Sequence, residues 1–257
     1  MESSRRALFL REMGLSPVWR LRGENPEPGI PASEQPCKAT GPIGAEVPAQ
    51  VPDKPEVAYV PALAQDDRTA RILRMDWQQL KDTVSECRSC ELCKTRTNTV
   101  FGVGDEQAEW FLVGEAPGAE EDARGEPFVG QAGRLLDNML ASIGLKRGVN
   151  VYIANVLKCR PPGNRNPGLS EMAQCAPHLQ RQIELIGPKL IIAMGRFAAQ
   201  ALLDTGATIG SLRGKLHRYR GVPLIVTYHP AYLLRSLPEK AKAWEDLCFA
   251  RRTMAGL

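Results

Sequence analysis

The sequence predicts an α/β fold with three layers, α/β/α, in which helices cover both faces of a central, mostly parallel four-stranded sheet. Four apolar runs have the pattern of buried strands: WFLVG at 110–114, NVYIANV at 150–156, KLIIAMG at 189–195 and VPLIVTY at 222–228. Helical patterns follow these runs, near 131–143, 170–186, 196–204 and 238–252. This alternation is typical of a parallel sheet, whose ligands bind at the carboxyl ends of its strands.

The first 67 residues differ in composition from the rest of the 257-residue chain. Residues 1–23 contain five arginines and the pattern of a short amphipathic helix, which packs on the chain's own core or docks on a partner protein. Residues 24–67 hold nine of the twenty prolines and have a net charge of −6. We expect 24–67 to be a disordered linker and 68–257 to be the folded domain, so the fold has a disordered amino-terminal extension.

Charge and cysteine usage narrow the class of protein. The chain has a net charge of +4, so the residues outside the acidic linker carry +10, which suits a polyanionic partner such as nucleic acid. No stretch approaches the ~18 apolar residues that a membrane span needs. We therefore expect a cytoplasmic protein without a membrane partner. In that reducing compartment, an odd total of seven cysteines argues against a disulfide framework.

Two cysteine pairs have the spacing of a metal site. Cys87 and Cys90 form a CxxC motif, and Cys159 and Cys175 are separated by fifteen residues. Four thiolates hold either zinc or a [4Fe–4S] cluster, and spacing alone does not decide between them. The remaining three cysteines would be spare.

A glycine-rich segment, GEAPGAEEDARGEPFVGQAG at 114–133, follows the first strand. It contains neither GxGxxG nor a Gly-Lys-Ser/Thr motif, and its carboxylates would repel phosphates. We therefore favour a site that positions water or a cationic transition state. Phe128, where the loop meets a helix, either belongs to the core or stacks on a flat ring.

Polar residues also follow the second and last strands. Asn155 precedes VLKCRPPGNRNP, and His229 lies in TYHPAYLLR. A turn asparagine and a structural histidine are the simpler interpretations. The alternative is that both side chains face a ligand at the carboxyl edge of the sheet, with the segment after His229 projecting an apolar wedge.

Taken together, these motifs resemble the family 4 uracil-DNA glycosylases, the iron–sulfur branch of that superfamily. The resemblance runs from about Cys87 to Arg252, through CRSC, VFGVG, VGEAPGAEEDARGEPFVGQAG, VYIANVLKCRPPGNRNP, the RGK at 213–215 and TYHPAYLLR, all in order. It implies four groups of residues. Catalytic residues would be Glu115, Glu121 and His229; substrate-binding residues Phe128, Asn155 and Ala116; [4Fe–4S] ligands Cys87, Cys90, Cys159 and Cys175; and DNA-binding residues Lys158, Arg160, Arg165, Tyr232, Leu233, Leu234 and Arg235.

The resemblance implies a monofunctional enzyme that flips deoxyuridine out of single- or double-stranded DNA and hydrolyses its N-glycosidic bond, which begins base excision repair. Asn155 would accept from uracil N3–H and donate to O4, and His229 would donate to O2. Glu115 would handle the attacking water, with Glu121 in support. CRPPGNRNPGLS contains no histidine, so covalent capture of uracil, known in a related subgroup, is not expected.

Two other interpretations stay open at this point. One is a non-catalytic iron–sulfur module that binds DNA or senses damage, and the other is a glycosylase for another deaminated base such as hypoxanthine. We expect a monomer associated with a bacterial nucleoid. Residues 3–22, which lie outside the resemblance, form our candidate docking peptide for a repair or replication protein.

Overall fold

A computed structural model describes residues 62–257 of this chain, with side chains from Asp67 onward. The amphipathic segment 1–23 and nearly all of the proposed linker 24–67 lie outside the described residues. The first described helix begins at Ala62, six residues before the predicted start of the domain. Within the described part of the chain, no helix is long and apolar enough to cross a membrane.

A six-stranded sheet forms the centre of the domain. Its strands are β1 (Val103–Gly104), β2 (Trp110–Gly114), β3 (Val151–Asn155), β4 (Leu190–Met194), β5 (Leu216–Tyr219) and β6 (Val222–Thr227). The strand order is β1-β3-β2-β4-β6-β5, in which the four central strands are parallel and the two edge strands antiparallel. The predicted fold class and the four predicted strands are confirmed.

The two edge strands were not predicted. β1 has only two residues, and β5 alternates between exposed and half-buried positions. Neither forms an apolar run, because an edge strand packs against one neighbour and has less surface to bury.

Nine helices lie in the described region. They are α1 (Ala62–Ile72), α2 (Trp77–Ser85), α3 (Ala119–Arg124), α4 (Gln131–Ser142), α5 (Leu169–Ile186), α6 (Arg196–Leu203), α7 (Ile209–Leu212), α8 (Pro230–Leu233) and α9 (Glu239–Met254). Short 3-10 turns occur at Glu91–Lys94 and Pro162–Asn164. The four predicted helices correspond to α4, α5, α6 and α9, with ends within two residues of prediction.

The two faces of the sheet bury separate cores. Leu112, Ile153 and Ile192 pack with α4, α8 and α9 on one face. Phe111 and Tyr152 pack with α5 and α6 on the other. Since side chains alternate along a strand, the buried runs of β2, β3 and β4 supply both cores at once. For this reason every residue of these three strands is buried, and the strands appear in the sequence as unbroken apolar runs.

Candidate active site

A cavity of about 610 Å³ opens at the carboxyl ends of the parallel strands. It brings together most of the residues that the sequence singled out. The cavity is lined by Glu115, Ala116, Glu121, Phe128, Asn155, Arg165, His229, Tyr232 and Arg235, among others. These side chains, including Asn155 and His229, therefore lie around one cavity at the carboxyl edge of the sheet.

Asn155 lies at the end of β3 with only 2% of its surface exposed. Its Oδ1 is buried and has no hydrogen-bond partner in the described residues. Gly114 is paired with it in the parallel ladder, and a Cβ added there would lie 2.4 Å from that oxygen. Because an unsatisfied buried acceptor is costly, this oxygen indicates a site for a ligand that donates a hydrogen bond.

Phe128 is held in an unusual backbone conformation beside Asn155. Its φ is +56°, and its side chain is buried. Arg147 donates to the Phe128 carbonyl at 2.9 Å and to the Pro127 carbonyl at 3.0 Å. Such conformations persist only where the surroundings enforce them. The Phe128 ring stacks on the His229 imidazole at a centroid distance of 5.4 Å.

The two candidate catalytic carboxylates have different surroundings. Glu121 accepts from the backbone N–H groups of Gly118, Val129 and Gly130 at 3.0 to 3.2 Å, which ties the loop that carries Phe128 to α3. Glu115 is half-buried, and no described residue donates a hydrogen bond to its carboxylate. Burial raises the pKa of Glu115, and the charge of Arg196 lowers it. Glu115 is therefore the carboxylate that is free to take a proton.

His229 directly precedes α8 as its capping residue and is held in one tautomer. Its Nδ1 accepts a hydrogen bond from the Ala231 N–H at 3.1 Å, so the ring proton lies on Nε2. Burial lowers the pKa of His229 to about 4; the Arg235 charge also lowers it, and Glu121 raises it. At neutral pH this residue is an uncharged hydrogen-bond donor at the cavity.

The segment after His229 separates into exposed and buried residues. Tyr232 and Leu234 are 38% and 39% exposed, and Arg235 is exposed. Leu233 is 1% exposed and packs into the core against α4. The expectation that Leu233 contacts DNA is wrong, because one turn of helix places it on the inner side. Leu237, 50% exposed, is an apolar side chain nearby that the sequence did not single out.

The basic residues after β3 also differ from expectation. Lys158 is 1% exposed, and its Nζ donates to the Asn155 carbonyl at 3.0 Å and to Gln182 Oε1 at 2.6 Å. Burial lowers its pKa to about 8. Lys158 therefore does not reach a DNA phosphate, and that prediction is wrong. It holds the end of β3 in place instead.

Arg160 and Arg165 remain near the surface. Arg160 Nε donates to Asn164 Oδ1 at 2.7 Å. Arg165 lines the cavity, but its guanidinium is paired with Glu171 through a bond of 2.9 Å from Nη1 to Oε2. The predicted phosphate contact of Arg165 would therefore share this cation with a carboxylate.

A second, smaller cavity contains the four cysteines of the predicted metal site. Its wall includes Cys87, Cys90, Cys159 and Cys175, and also Cys93, which the spacing had left spare. These thiols come from three parts of the chain: the turn after α2, the loop after β3, and α5. Leu92, Leu157 and Ala116 pack around them, and Ala116 also lines the larger cavity.

The chemistry of this cavity suits a bound metal group. Burial raises the pKa of Cys175 to about 12, so its thiol stays protonated unless a metal displaces the proton. Arg96 Nη1 donates to Cys159 Sγ at 3.0 Å, and the Lys158 N–H donates to Cys175 Sγ at 3.3 Å. Hydrogen bonds of this kind are typical of metal-thiolate sites. Within the described residues, however, no three or more His, Cys, Asp or Glu side chains are arranged to hold a single metal ion.

Sequence reasoning missed several residues of these sites. Arg196 lines the larger cavity directly after β4, a position that the rule on strand ends could have marked. Arg147 reaches the loop of Phe128 from a later part of the chain, and no local signal marks it. Gly114 belonged to the predicted glycine-rich turn, but the space that it leaves for Asn155 and Phe128 is visible only in the fold. His178, on α5, belongs to the wall of the cysteine cavity.

Comparison with known proteins identifies the family to which the sequence is similar. Residues 101–248 match the model of the uracil DNA glycosylase superfamily. The chain is 51% identical over 168 residues to the type-4 uracil-DNA glycosylase of Archaeoglobus fulgidus, covering 61% of this chain and 84% of that protein. It is 42% identical over 181 residues to that of Pyrobaculum aerophilum (67% and 92%) and 43% identical over 159 residues to that of Thermotoga maritima (61% and 82%).

Proposed function

The chain belongs to the uracil DNA glycosylase superfamily, and from that premise we propose that its larger cavity hydrolyses the N-glycosidic bond of deoxyuridine in DNA. The observation that carries the proposal is the unpartnered, buried Oδ1 of Asn155 beside the stacked rings of Phe128 and His229. Uracil offers the N3–H donor that this oxygen lacks. The relatives named type-4 uracil-DNA glycosylase support the same assignment.

The hydrogen-bonding groups of Asn155 would distinguish uracil from cytosine by the edge of the base. With Oδ1 accepting from N3–H, the Asn155 amide nitrogen donates to uracil O4. Cytosine presents an acceptor at N3 and a donor at N4, so it would leave both amide groups unpaired at about 1 to 3 kcal/mol each. Uracil can reach Asn155 only if its nucleotide is flipped out of the base stack of the DNA, which costs a few kcal/mol.

The chemical step breaks the C1′–N1 bond, and its electron pair stays with the uracil. His229 Nε2–H donates to uracil O2 and stabilises the resulting anion, as donors in an oxyanion hole do. Water attacks C1′ and transfers a proton to Glu115, whose carboxylate also offsets the cationic character of the sugar. The uracil anion then takes up a proton from solvent and Glu115 releases the one that it received, so the products are free uracil and an abasic site. Glu121 positions the loop of Phe128 through its three backbone contacts.

DNA reaches the cavity across a rim that contains cationic and apolar side chains. Arg160, Arg165 and Arg235 would contact phosphates and affect affinity and its salt dependence. Tyr232 and Leu234 are exposed where an apolar wedge would enter the gap that the flipped base leaves.

The cysteine cavity would hold a [4Fe–4S] cluster. Cys87, Cys90, Cys159 and Cys175 supply the four thiolates, and sulfur ligands select iron–sulfur clusters, zinc or copper(I). The family to which the relatives belong favours the cluster. When bound, it would supply a rigid staple between the turn after α2, the loop after β3 and α5. Lys158 lies between this cavity and Asn155, so the staple and the base pocket share a support.

The remaining parts of the proposal concern the whole chain. We expect a monomeric protein that works with the nucleoid in a bacterial cytoplasm, with residues 68–257 sufficient for excision. Residues 3–22 would dock on a replication or repair protein through the tether 24–67. If deletion of residues 1–61 changed neither the set of bound proteins nor the repair rate in cells, the docking peptide would be ruled out.

The decisive experiment measures abasic-site formation in oligonucleotides that contain uracil, cytosine, thymine or hypoxanthine, single- and double-stranded, by the wild type and Asn155→Asp. The wild type should excise uracil alone, and the variant should lose about 100-fold or more of this rate. Asn138→Asp, the same change at an exposed position of α4 outside both cavities, is the matched control. A wild type that binds uracil DNA without cutting would establish a binding module, and equal excision of hypoxanthine would establish a broader glycosylase.

The cluster is tested on the same protein, purified without oxygen. Iron and sulfide content and visible absorption should show four irons per chain, lost in Cys159→Ser and retained in Cys248→Ser, which changes a cysteine outside the cavity. Stoichiometric zinc in place of iron would overturn the cluster.

A further inference from the structure

His178 is a buried polar residue that the proposed catalytic mechanism does not use. It lies on α5, three residues after Cys175, and is 1% exposed. Its Nδ1 is buried and has no hydrogen-bond partner in the described residues. The same imidazole belongs to the wall of the cysteine cavity, together with the four proposed ligands.

A second contact settles where the imidazole proton lies. Arg68, on α1, places Nη2 3.1 Å from His178 Nε2, and its Nη1 donates to the Gln174 carbonyl at 3.1 Å. A guanidinium has only donors, so Nε2 must be the acceptor of this contact. The imidazole proton is therefore on Nδ1, the nitrogen that lacks a partner.

The His178 Nδ1–H is a buried donor without an acceptor, and it belongs to a cavity lined by thiols. The acceptor that this environment would provide is a sulfur atom. A buried histidine that faced no ligand would be satisfied by a group such as a backbone carbonyl, and even the half-buried His217 has one, from Leu212 at 2.7 Å. The donor at His178 has no such carbonyl within reach among the described residues. Two of the thiols in this cavity already accept hydrogen bonds, from Arg96 and from the Lys158 N–H.

We propose that His178 is a positioning residue of the cofactor, donating its Nδ1–H to a sulfur of the cluster, with Arg68 fixing the tautomer that makes this possible. The inference rests on the proposed [4Fe–4S] cluster and extends it to residues outside the ligand set. A donor at sulfur draws electron density from the cluster, which raises its reduction potential and slows oxidative loss of iron.

The contact also joins α1 to the cofactor. Arg68 belongs to the first described helix, so the segment that leads into the domain holds α5 through the Gln174 carbonyl and the cluster through His178. Removing Arg68 should therefore weaken the cluster without touching any ligand.

The test uses the full-length holoprotein, purified without oxygen, and two readouts other than base excision. The first is the shift of Fe–S stretching bands in resonance Raman spectra on exchange of H2O for D2O. The second is the rate of iron release to a chelator in air. The variants are His178→Phe, Arg68→Met and Arg68→Lys, and His217→Phe is the matched control, since it removes a histidine outside the cysteine cavity.

We expect a D2O shift in the wild type that is reduced in His178→Phe, and iron release that is about 10-fold faster or more in that variant. Arg68→Met should release iron faster than the wild type, Arg68→Lys should recover part of the difference, and His217→Phe should match the wild type. If His178→Phe fails to fold, Arg68→Met still tests the contact, because it removes the residue that holds the proton on Nδ1 and leaves every proposed ligand and the donors Arg96 and Lys158 in place.

The outcomes separate the inference from the cluster itself. A wild-type protein that contains no iron would rule out both the cluster and the proposed role of His178. An iron-loaded wild type in which His178→Phe and Arg68→Met keep the wild-type D2O shift and iron release would overturn the role of His178 and leave the cluster standing.

Discussion

Gly114 and Asn155 end neighbouring parallel strands in register, and a methyl group on Gly114 would lie 2.4 Å from Asn155 Oδ1 and 2.6 Å from Phe128 Cζ. The two proposed uracil-binding side chains converge over a residue that has no side chain of its own. The base pocket therefore needs glycine at position 114 because only glycine leaves enough space. The backbone φ of Gly114 is one that other residues can also adopt.

Gly114→Ala should therefore damage the pocket. The added methyl displaces both neighbours, and we expect kcat/KM for uracil excision to fall by about 100-fold or more, since a shift of about 1 Å in a binding group has such effects. The control is Gly206→Ala, because a Cβ at Gly206 meets nothing within 4 Å. Equal activities of the two variants would show that the pocket adapts to the methyl group.

The two carboxylates should separate by function. Glu115→Gln removes the proton acceptor but keeps the shape, so we expect single-turnover excision to fall by about 100-fold to 10,000-fold while uracil-DNA affinity is kept. Glu121→Gln weakens the backbone contacts of the Phe128 loop, so it should raise KM and lower Tm. If Glu121→Gln proved the slower variant at saturating DNA with an unchanged Tm, the two roles would be exchanged.

The excision rate should fall in acid because Glu115 must be ionised to accept a proton. Its pKa is raised by burial, so the acid limb of the single-turnover rate should lie above ~4.3, the ordinary value for glutamate. Arg196 lowers this pKa, hence Arg196→Met should move the limb to still higher pH, while Arg196→Lys should not. If the acid limb of the rate profile did not move in Arg196→Met, the residue that accepts the proton from water would not be Glu115.

His229 should remain neutral well below the ordinary histidine pKa of ~6.5. A pH titration followed by NMR of the 15N-labelled side chain should give a pKa of about 4 and the Nε2–H tautomer at neutral pH. Accordingly, no change in kcat between pH 5.5 and 7.5 should trace to this residue. An imidazolium at pH 6 would mean that a cation, and not a neutral donor, stabilises the leaving uracil.

Two neighbouring leucines offer a test of the wedge. Leu234→Ala removes an exposed apolar side chain, so excision from duplex DNA should fall while excision from single strands and the free energy of unfolding stay unchanged. Leu233→Ala instead removes a core side chain, at about 2 to 5 kcal/mol of stability. Equal losses on both kinds of DNA in Leu234→Ala would exclude a wedge at this position.

Much of the site could be predicted because its residues follow buried strands. Glu115, Asn155 and His229 each come at or after the end of a central strand, and a parallel sheet brings such ends to one edge. The four cysteines were recognisable from spacing and from the family motifs. The errors concern Lys158, whose charge suggested a phosphate contact, and Leu233, which lies in the predicted wedge after His229; both side chains are buried.

The sequence by itself determined the α/β class, the four central strands, the strand-end residues and the family, because hydrophobic pattern and motif are local properties of the chain. Only the tertiary structure decided which carboxylate is free, which tautomer His229 and His178 adopt, and that Lys158 supports Asn155. These outcomes depend on burial and on hydrogen bonds that form only in the folded backbone, some between near neighbours such as Ala231 and His229 and others between distant residues such as Arg68 and His178. Hydrogen bonding and burial, which set protonation and accessibility, are properties of the packed fold and not of the local sequence.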